Sequence, residues 1–305
     1  MRVIVKLLIF AMLAARLFGA TKVPEDIKKS VVFIYKDGGT PSQYMPEGTG
    51  FIVSIPHPVE KDKGWLYLVT AKHVLRTNAN DLSSPLYSRV FVRLNKKSGG
   101  SEMIPLPLVT SGPAQTVFLH SDESVDIAVI PIGGEELNSL DLAALPESWL
   151  ASSDDIASNH IGVGTDVFFE GMFTPYLGQQ KSYPIVRFGR VAMLPNEKIN
   201  FMGMEIEAYL LETLAFGGNS GSPVFFYLGS DREPGSMILG PPTIKIAGVM
   251  EGYFNDVTPI TMVQPASSNN QMIPVSTQNA GIAVVIPAQK VRDILNSAVL
   301  VGKRH

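Results

Sequence analysis

The chain has 305 residues, 45% of them hydrophobic and only 17% charged, so it carries enough apolar material for a packed core and is not a disordered polypeptide. Its formal net charge of -3, with no long basic run, excludes a nucleic-acid role. Cysteine is absent, which excludes disulfides and thiolate metal sites. The five histidines (His57, His73, His120, His160 and His305) form neither an HExxH motif nor a close pair, so no metal is expected.

Residues 1–20 open with Met1 and Arg2 ahead of the apolar run VIVKLLIFAMLAARLFGA, the pattern of a secretory signal peptide, with a mature chain starting near Thr21. Lys6 and Arg16 interrupt that run, so stable membrane insertion is not expected. Short runs rich in Val, Ile, Phe and Tyr follow: VVFIY at 31–35, GFIVSI at 50–55, WLYLVT at 65–70, RVFVRL at 89–94, TVFL at 116–119 and VDIAVIPI at 125–132. Turn-forming stretches separate them, and they predict a first antiparallel β-barrel over 21–135. Residues 136–160 change to acids and polar breakers with some helical spacing, a connection between two units.

Strand-like runs resume at 166–173, 185–194, 204–212, 222–228, 244–250 and 280–287, predicting a second barrel over 161–288. After Pro287, the apolar residues Val291, Ile294, Leu295 and Val299 stand at helical spacing, so a closing amphipathic helix and tail are expected over 289–305. The stretches 228–243 and 255–279 are long and rich in Pro, Ser, Asn and Gly. They read as loops, either a binding surface or plain flexible connections.

Three short segments carry chemistry. In GGNSGSPVF, 217–225, Ser220 sits in a glycine-rich turn before a strand. Glycines there let the N–H groups of Gly218 and Ser220 converge on one point, as an oxyanion hole requires, although the same residues also make ordinary turns. In LVTAKHVL, 68–75, His73 follows the end of an apolar strand, where a fixed imidazole serves as general base or as a merely structural residue. In SVDIAVIPI, 124–132, Asp126 is the one carboxylate in an apolar run and needs a partner, which the imidazole N–H would supply; otherwise it caps a turn, as Asp122 does. The order His, Asp, Ser is that of the chymotrypsin arrangement.

On these motifs, with EGTGFIVS (47–54) and GIAVVIPAQKVRDIL (281–295), the chain resembles the trypsin-like serine peptidases. The resemblance is to their disulfide-free bacterial branch, the HtrA (DegP-like) proteases and glutamyl endopeptidases, and it spans roughly 30–298. It implies an all-β fold of two six-stranded antiparallel barrels with a C-terminal helix, and a cleft site drawing His73 and Asp126 from the first barrel and Ser220 from the second. HtrA members continue into a PDZ domain, which is not expected here because the sequence ends at His305. The position six before the nucleophile holds Leu214, and the place of the glutamate-reading histidine holds Met250, with Glu251 beside it. These three are the expected substrate-binding residues, and an apolar P1 preference follows. The implied protein is a secreted or periplasmic bacterial serine endopeptidase that needs no cofactor and takes a protein or peptide substrate. A catalytically silent barrel that binds a protein, and an esterase or amidase using the same residues, are the other readings.

Overall fold

The computed structural model describes residues 23–40, 43–60, 63–110, 115–229, 242–259 and 275–304. The signal-like run and most of the stretch 228–243 lie outside the described residues. The chain is mostly β, as expected. In order come a short helix α1 (Glu25–Lys28), then β1 (Val31–Asp37), β2 (Tyr44–Pro56), β3 (Gly64–Thr70), β4 (Arg89–Asn95), β5 (Ser101–Pro107), β6 (Phe118–Leu119), β7 (Ala128–Ile132) and β8 (Leu145–Pro146). These strands form one sheet in the order β5-β4-β1-β2-β3-β7-β6, with β8 added parallel to β2. The strand ladder of this first sheet is not closed, unlike the barrel expected there; just beyond its end strands Thr116 Oγ1 donates to the Leu108 main-chain carbonyl at 2.6 Å, and Leu108 and Val117 share one core cluster.

After helix α2 (Ser153–Ser158), strands β9 (Asp166–Gly171), β10 (Ile185–Met193), β13 (Tyr209–Glu212), β14 (Pro223–Leu228), β15 (Thr243–Pro259) and β16 (Val275–Pro287) close a six-stranded barrel. The small hairpin of β11 (Ile199–Phe201) and β12 (Met204–Ile206) sits outside it. The stretch 255–279, expected as loop, is in part a ladder: β15 and β16 stay paired from Asn255 opposite Asn279 out to Pro259 opposite Val275. The alternation of polar and β-branched residues there supports a ribbon that composition alone read as a loop. Residues 260–274 lie outside the described residues.

Burial explains why the strands read as continuous apolar runs. In β1, Val32 and Ile34 face the interior of the first sheet, while Val31, Phe33 and Tyr35 pack on Met172 of the second half. In β3, Leu66 and Leu68 face that interior, and Tyr67 and Val69 join a cluster that extends to Phe168, Phe225 and the C-terminal helices. Both faces are covered, so both must be apolar. The closing segment forms two helices, α3 (Ala288–Leu295) and α4 (Ala298–Gly302), because Ser297 caps a new turn through the Leu300 N–H. That break corrects the helical-spacing reading: Leu300 is buried, whereas Val299 is 57% exposed.

Candidate active site

β3 ends at Thr70, and the chain turns at once into a short 3-10 segment, Lys72–Leu75, that presents His73. Asp126 lies just before β7, which pairs with β3, so the shared ladder carries the two residues to the same sheet end. Asp126 is 1% exposed. Its Oδ2 meets His73 Nδ1 in a very short contact, and its Oδ1 accepts the His73 backbone N–H at 2.9 Å. Burial opposes ionisation of Asp126, but the His73 charge and hydrogen bonds outweigh it and hold the carboxyl below its ordinary value. Burial likewise lowers the His73 ring, and the attraction and hydrogen bond of Asp126 override it, leaving His73 above its ordinary value.

Ser220 arrives from the other half. Residues 216–222 form a tight loop between β13 and β14 in which Gly218 and Gly221 take φ of +92° and +84°. Gly221 admits no side chain at all, since a Cβ there would stand 2.0 Å from the Thr49 carbonyl and 2.4 Å from Thr70 Oγ1. Asn219 is buried and braces the loop from within, donating from Nδ2 to the Met172 carbonyl at 2.7 Å and accepting the Phe216 N–H at 2.8 Å. Thr49 of β2 ties the halves together: its N–H donates to the Ser220 carbonyl at 2.8 Å and its Oγ1 to the Gly218 carbonyl at 2.7 Å, while that Oγ1 accepts the Met172 N–H at 3.0 Å. Among the described residues, neither the Gly218 nor the Ser220 N–H donates to any acceptor.

The structure thus brings together His73 and Asp126 directly, and sets Ser220 against the strand ends beside them. Ser220 Oγ donates to the Glu251 carbonyl at 3.1 Å, and among the described residues it makes no hydrogen bond to His73. The three expected substrate-binding residues separate. Leu214 is 49% exposed, and Phe216, two residues on, is 40% exposed with the Arg187 guanidinium stacked 4.4 Å from its ring. Met250 is fully buried in the barrel core, where it cannot line a pocket. Glu251 is also buried, at 6% exposed, and its main-chain carbonyl is the acceptor of Ser220 Oγ. Thr49, Asn219 and Lys72 were not singled out from sequence. Thr49 and Asn219 stand inside the quoted motifs, and Lys72 is a lone cation in an apolar stretch, which was the available signal. No cluster of three or more metal-ligating side chains occurs among the described residues, and no helix there is long and apolar enough to cross a membrane.

No protein-family model matches the chain, and no curated protein matches it either. Among solved structures it is similar to the MamO protease domain from Magnetospirillum magneticum in its apo form, at 13% identity and a TM-score of 0.49, covering 90% of this chain and 99% of that one. It is also similar to Rv3671c from M. tuberculosis H37Rv in an inactive mutant form, at 16% identity and a TM-score of 0.40, covering 89% and 88%. At these distances the roles of individual side chains rest on the geometry of this chain alone.

Proposed function

We propose that the chain is a serine endopeptidase in which Ser220 is the nucleophile, His73 the general base, Asp126 the residue that orients and stabilises the imidazolium, and the N–H groups of Gly218 and Ser220 the oxyanion hole. The observation that carries this reading is the buried Asp126 carboxylate on His73 Nδ1, which fixes the proton on that nitrogen and leaves Nε2 as the basic atom. Two unengaged N–H groups on the nucleophile's own loop support an acyl-transfer site, since such donors would stabilise the tetrahedral oxyanion without reorganisation. In the reaction Ser220 Oγ leaves the Glu251 carbonyl, gives its proton to His73 Nε2 and attacks the peptide carbonyl; the imidazolium then protonates the departing amine, and water hydrolyses the acyl-enzyme. The exposed apolar surface of Leu214 and Phe216 beside the loop supports an apolar P1 preference, with Met250 and Glu251 dropped from the binding set.

The division into a first unit over 21–135 and a second over 161–288, and export of the chain after loss of residues 1–20, belong to the same proposal. One observation favours a second reading: Ser220 Oγ rests on a main-chain carbonyl and not on His73, as in a catalytically silent barrel that binds a protein.

Fluorophosphonate labelling of the purified chain, mapped by mass spectrometry, separates the two. Labelling at Ser220 that Ser220→Ala abolishes is expected. A folded protein that stays unlabelled would leave the silent barrel.

A further inference from the structure

Arg187 on β10 is a cation on a strand face that otherwise meets the core. It stands opposite Phe169 in the β9–β10 ladder and at an even spacing from Val191, and Phe169 and Val191 both belong to the barrel core. Residues that alternate along a strand, or face one another across a ladder, share a side of the sheet, so Arg187 is set on the core side of β10. At that end the core gives way to the segment that leads to the nucleophile. Two close approaches hold this segment against β10: Thr213 Oγ1 donates to the Phe188 carbonyl at 3.1 Å, and a Cβ on Gly189 would stand 2.3 Å from the Glu212 carbonyl. Beyond them the Arg187 guanidinium lies 4.4 Å from the centroid of the Phe216 ring.

This arginine lacks a counter-charge. Its Nε is buried without a hydrogen-bond partner, and no carboxylate pairs with it among the described residues. Arg190, three residues on along the same strand, has Asp166 at 3.0 Å. A partly desolvated cation with no anion is costly, and stacking on a ring covers only the flat face of a guanidinium, leaving its in-plane N–H donors to take an oxyacid. The approach from outside is open: Phe216 is 40% exposed, and a Cβ on the neighbouring Gly217 would meet nothing within 4 Å.

We propose that Arg187 is a specificity-determining residue of the cleft, whose guanidinium donates to a carboxylate of the bound peptide next to the apolar residue laid on Leu214 and Phe216. The proposal rests on the reading of the cleft as a peptide-binding site and adds to the apolar preference a second requirement, an acidic group beside it. An Asp or Glu side chain and a free chain terminus offer the same two oxygens, which match the planar fork.

The test is fluorescence anisotropy of labelled hexapeptides with the full chain carrying Ser220→Ala, which leaves the peptides uncut and reads binding whether or not the barrel is catalytic. Each peptide is acetylated and amidated and holds one leucine; a single glutamate is walked through the other positions, and each version is paired with its glutamine counterpart. One further pair differs only in a free or amidated C-terminus. At one glutamate position, or for the free terminus, binding about tenfold tighter than its uncharged counterpart is expected, and which pair shows it identifies the source of the carboxylate. Adding Arg187→Gln should abolish that advantage, and Arg187→Lys should restore only part of it. Charged and uncharged peptides that bind alike in every pair, or no binding by any peptide, overturn the proposal, as does a folded Arg187→Gln chain that keeps the advantage. If Arg187→Gln fails to fold, Arg187→Lys decides: an undiminished advantage overturns the proposal. Labelling of Ser220 by fluorophosphonate together with no charge preference would sink this inference alone and leave the peptidase reading standing.

Discussion

Glu170 on β9 is the residue whose environment is least matched to its chemistry. It is fully buried, both carboxyl oxygens lack partners among the described residues, and it faces the same side as Phe168, whose ring stacks on Phe225 at 4.8 Å. Burial pushes its carboxyl up to about 8, with smaller opposed effects from Lys28 and Glu25. The unfolded chain releases this proton near 4.5, while the folded chain keeps it to about 8. Stability contributed by this group is therefore whole below pH 4.5, falls as pH rises across that window and levels off above it, by up to roughly 5 kcal/mol. Glu170→Gln has no such titration. Urea unfolding of the two proteins at pH 5 and pH 8 should show the variant gaining on the wild type by several kcal/mol at the higher pH; equal gaps at both pH values would show that Glu170 ionises freely in the fold. The sequence marked this residue only as an acid inside DVFFEGMF, as it marked Asp126 in SVDIAVIPI. Nothing in the two strings says that one acid meets an imidazole and the other finds no hydrogen-bond partner among the described residues, because partners come from other strands.

At the scale of elements, the strand cores at 31–35, 65–70 and 89–94 were legible because covering both faces demands unbroken apolar β-formers. β5 was not, since Ser101–Pro107 is a half-exposed edge strand carrying Pro105 and Pro107, and edges are where a ladder tolerates proline. TVFL at 116–119 shrinks to the two residues of β6, and the run 204–212 divides into β12 and β13. The C-terminal helices give the clearest test of burial against spacing. Leu295 is wholly buried in the cluster that joins the halves, and Leu295→Ala should cost roughly 2–5 kcal/mol. Val299→Ala, which uniform helical spacing would rank as equally costly, should stay within about 0.5 kcal/mol, because α4 turns that position to solvent. Denaturant midpoints at unchanged slope would measure both.

Over the whole molecule, Arg93 is among the residues of the first sheet that brace the second half. Arg93 on β4 donates from its guanidinium to the carbonyls of Leu177, Gly178 and Gln179 at 3.0, 2.8 and 2.9 Å, and from Nε to Ser101 Oγ at 2.9 Å. Asn95 repeats the bracing with Ser182, accepting its N–H at 2.8 Å and donating to its carbonyl at 3.0 Å. A planar fork suits several carbonyls at once, and an ammonium does not. Arg93→Ala should speed proteolytic cutting within 177–182 by tenfold or more, and Arg93→Lys should restore little of the protection; cutting at the wild-type rate would mean that the segment is held by other contacts. On the opposite side, Arg304 donates to Tyr67 Oη at 2.7 Å and to the Leu295 carbonyl, so the last residues described also fasten to the first sheet.

The all-β class, the main strand cores and the three segments that hold His73, Asp126 and Ser220 are legible in the chain because they depend on local pattern: apolar runs, a glycine-rich turn, and lone polar residues at strand ends. Only the assembled fold shows that Asp126 bonds His73 and that Thr49 of β2 grips the loop carrying Ser220. It also decided that the serine hydroxyl rests on the Glu251 carbonyl, and that Met250 and Glu251 face inward. Each of those depends on register between strands far apart in the chain, where a bulge of one residue on β15 exchanges the face a side chain meets.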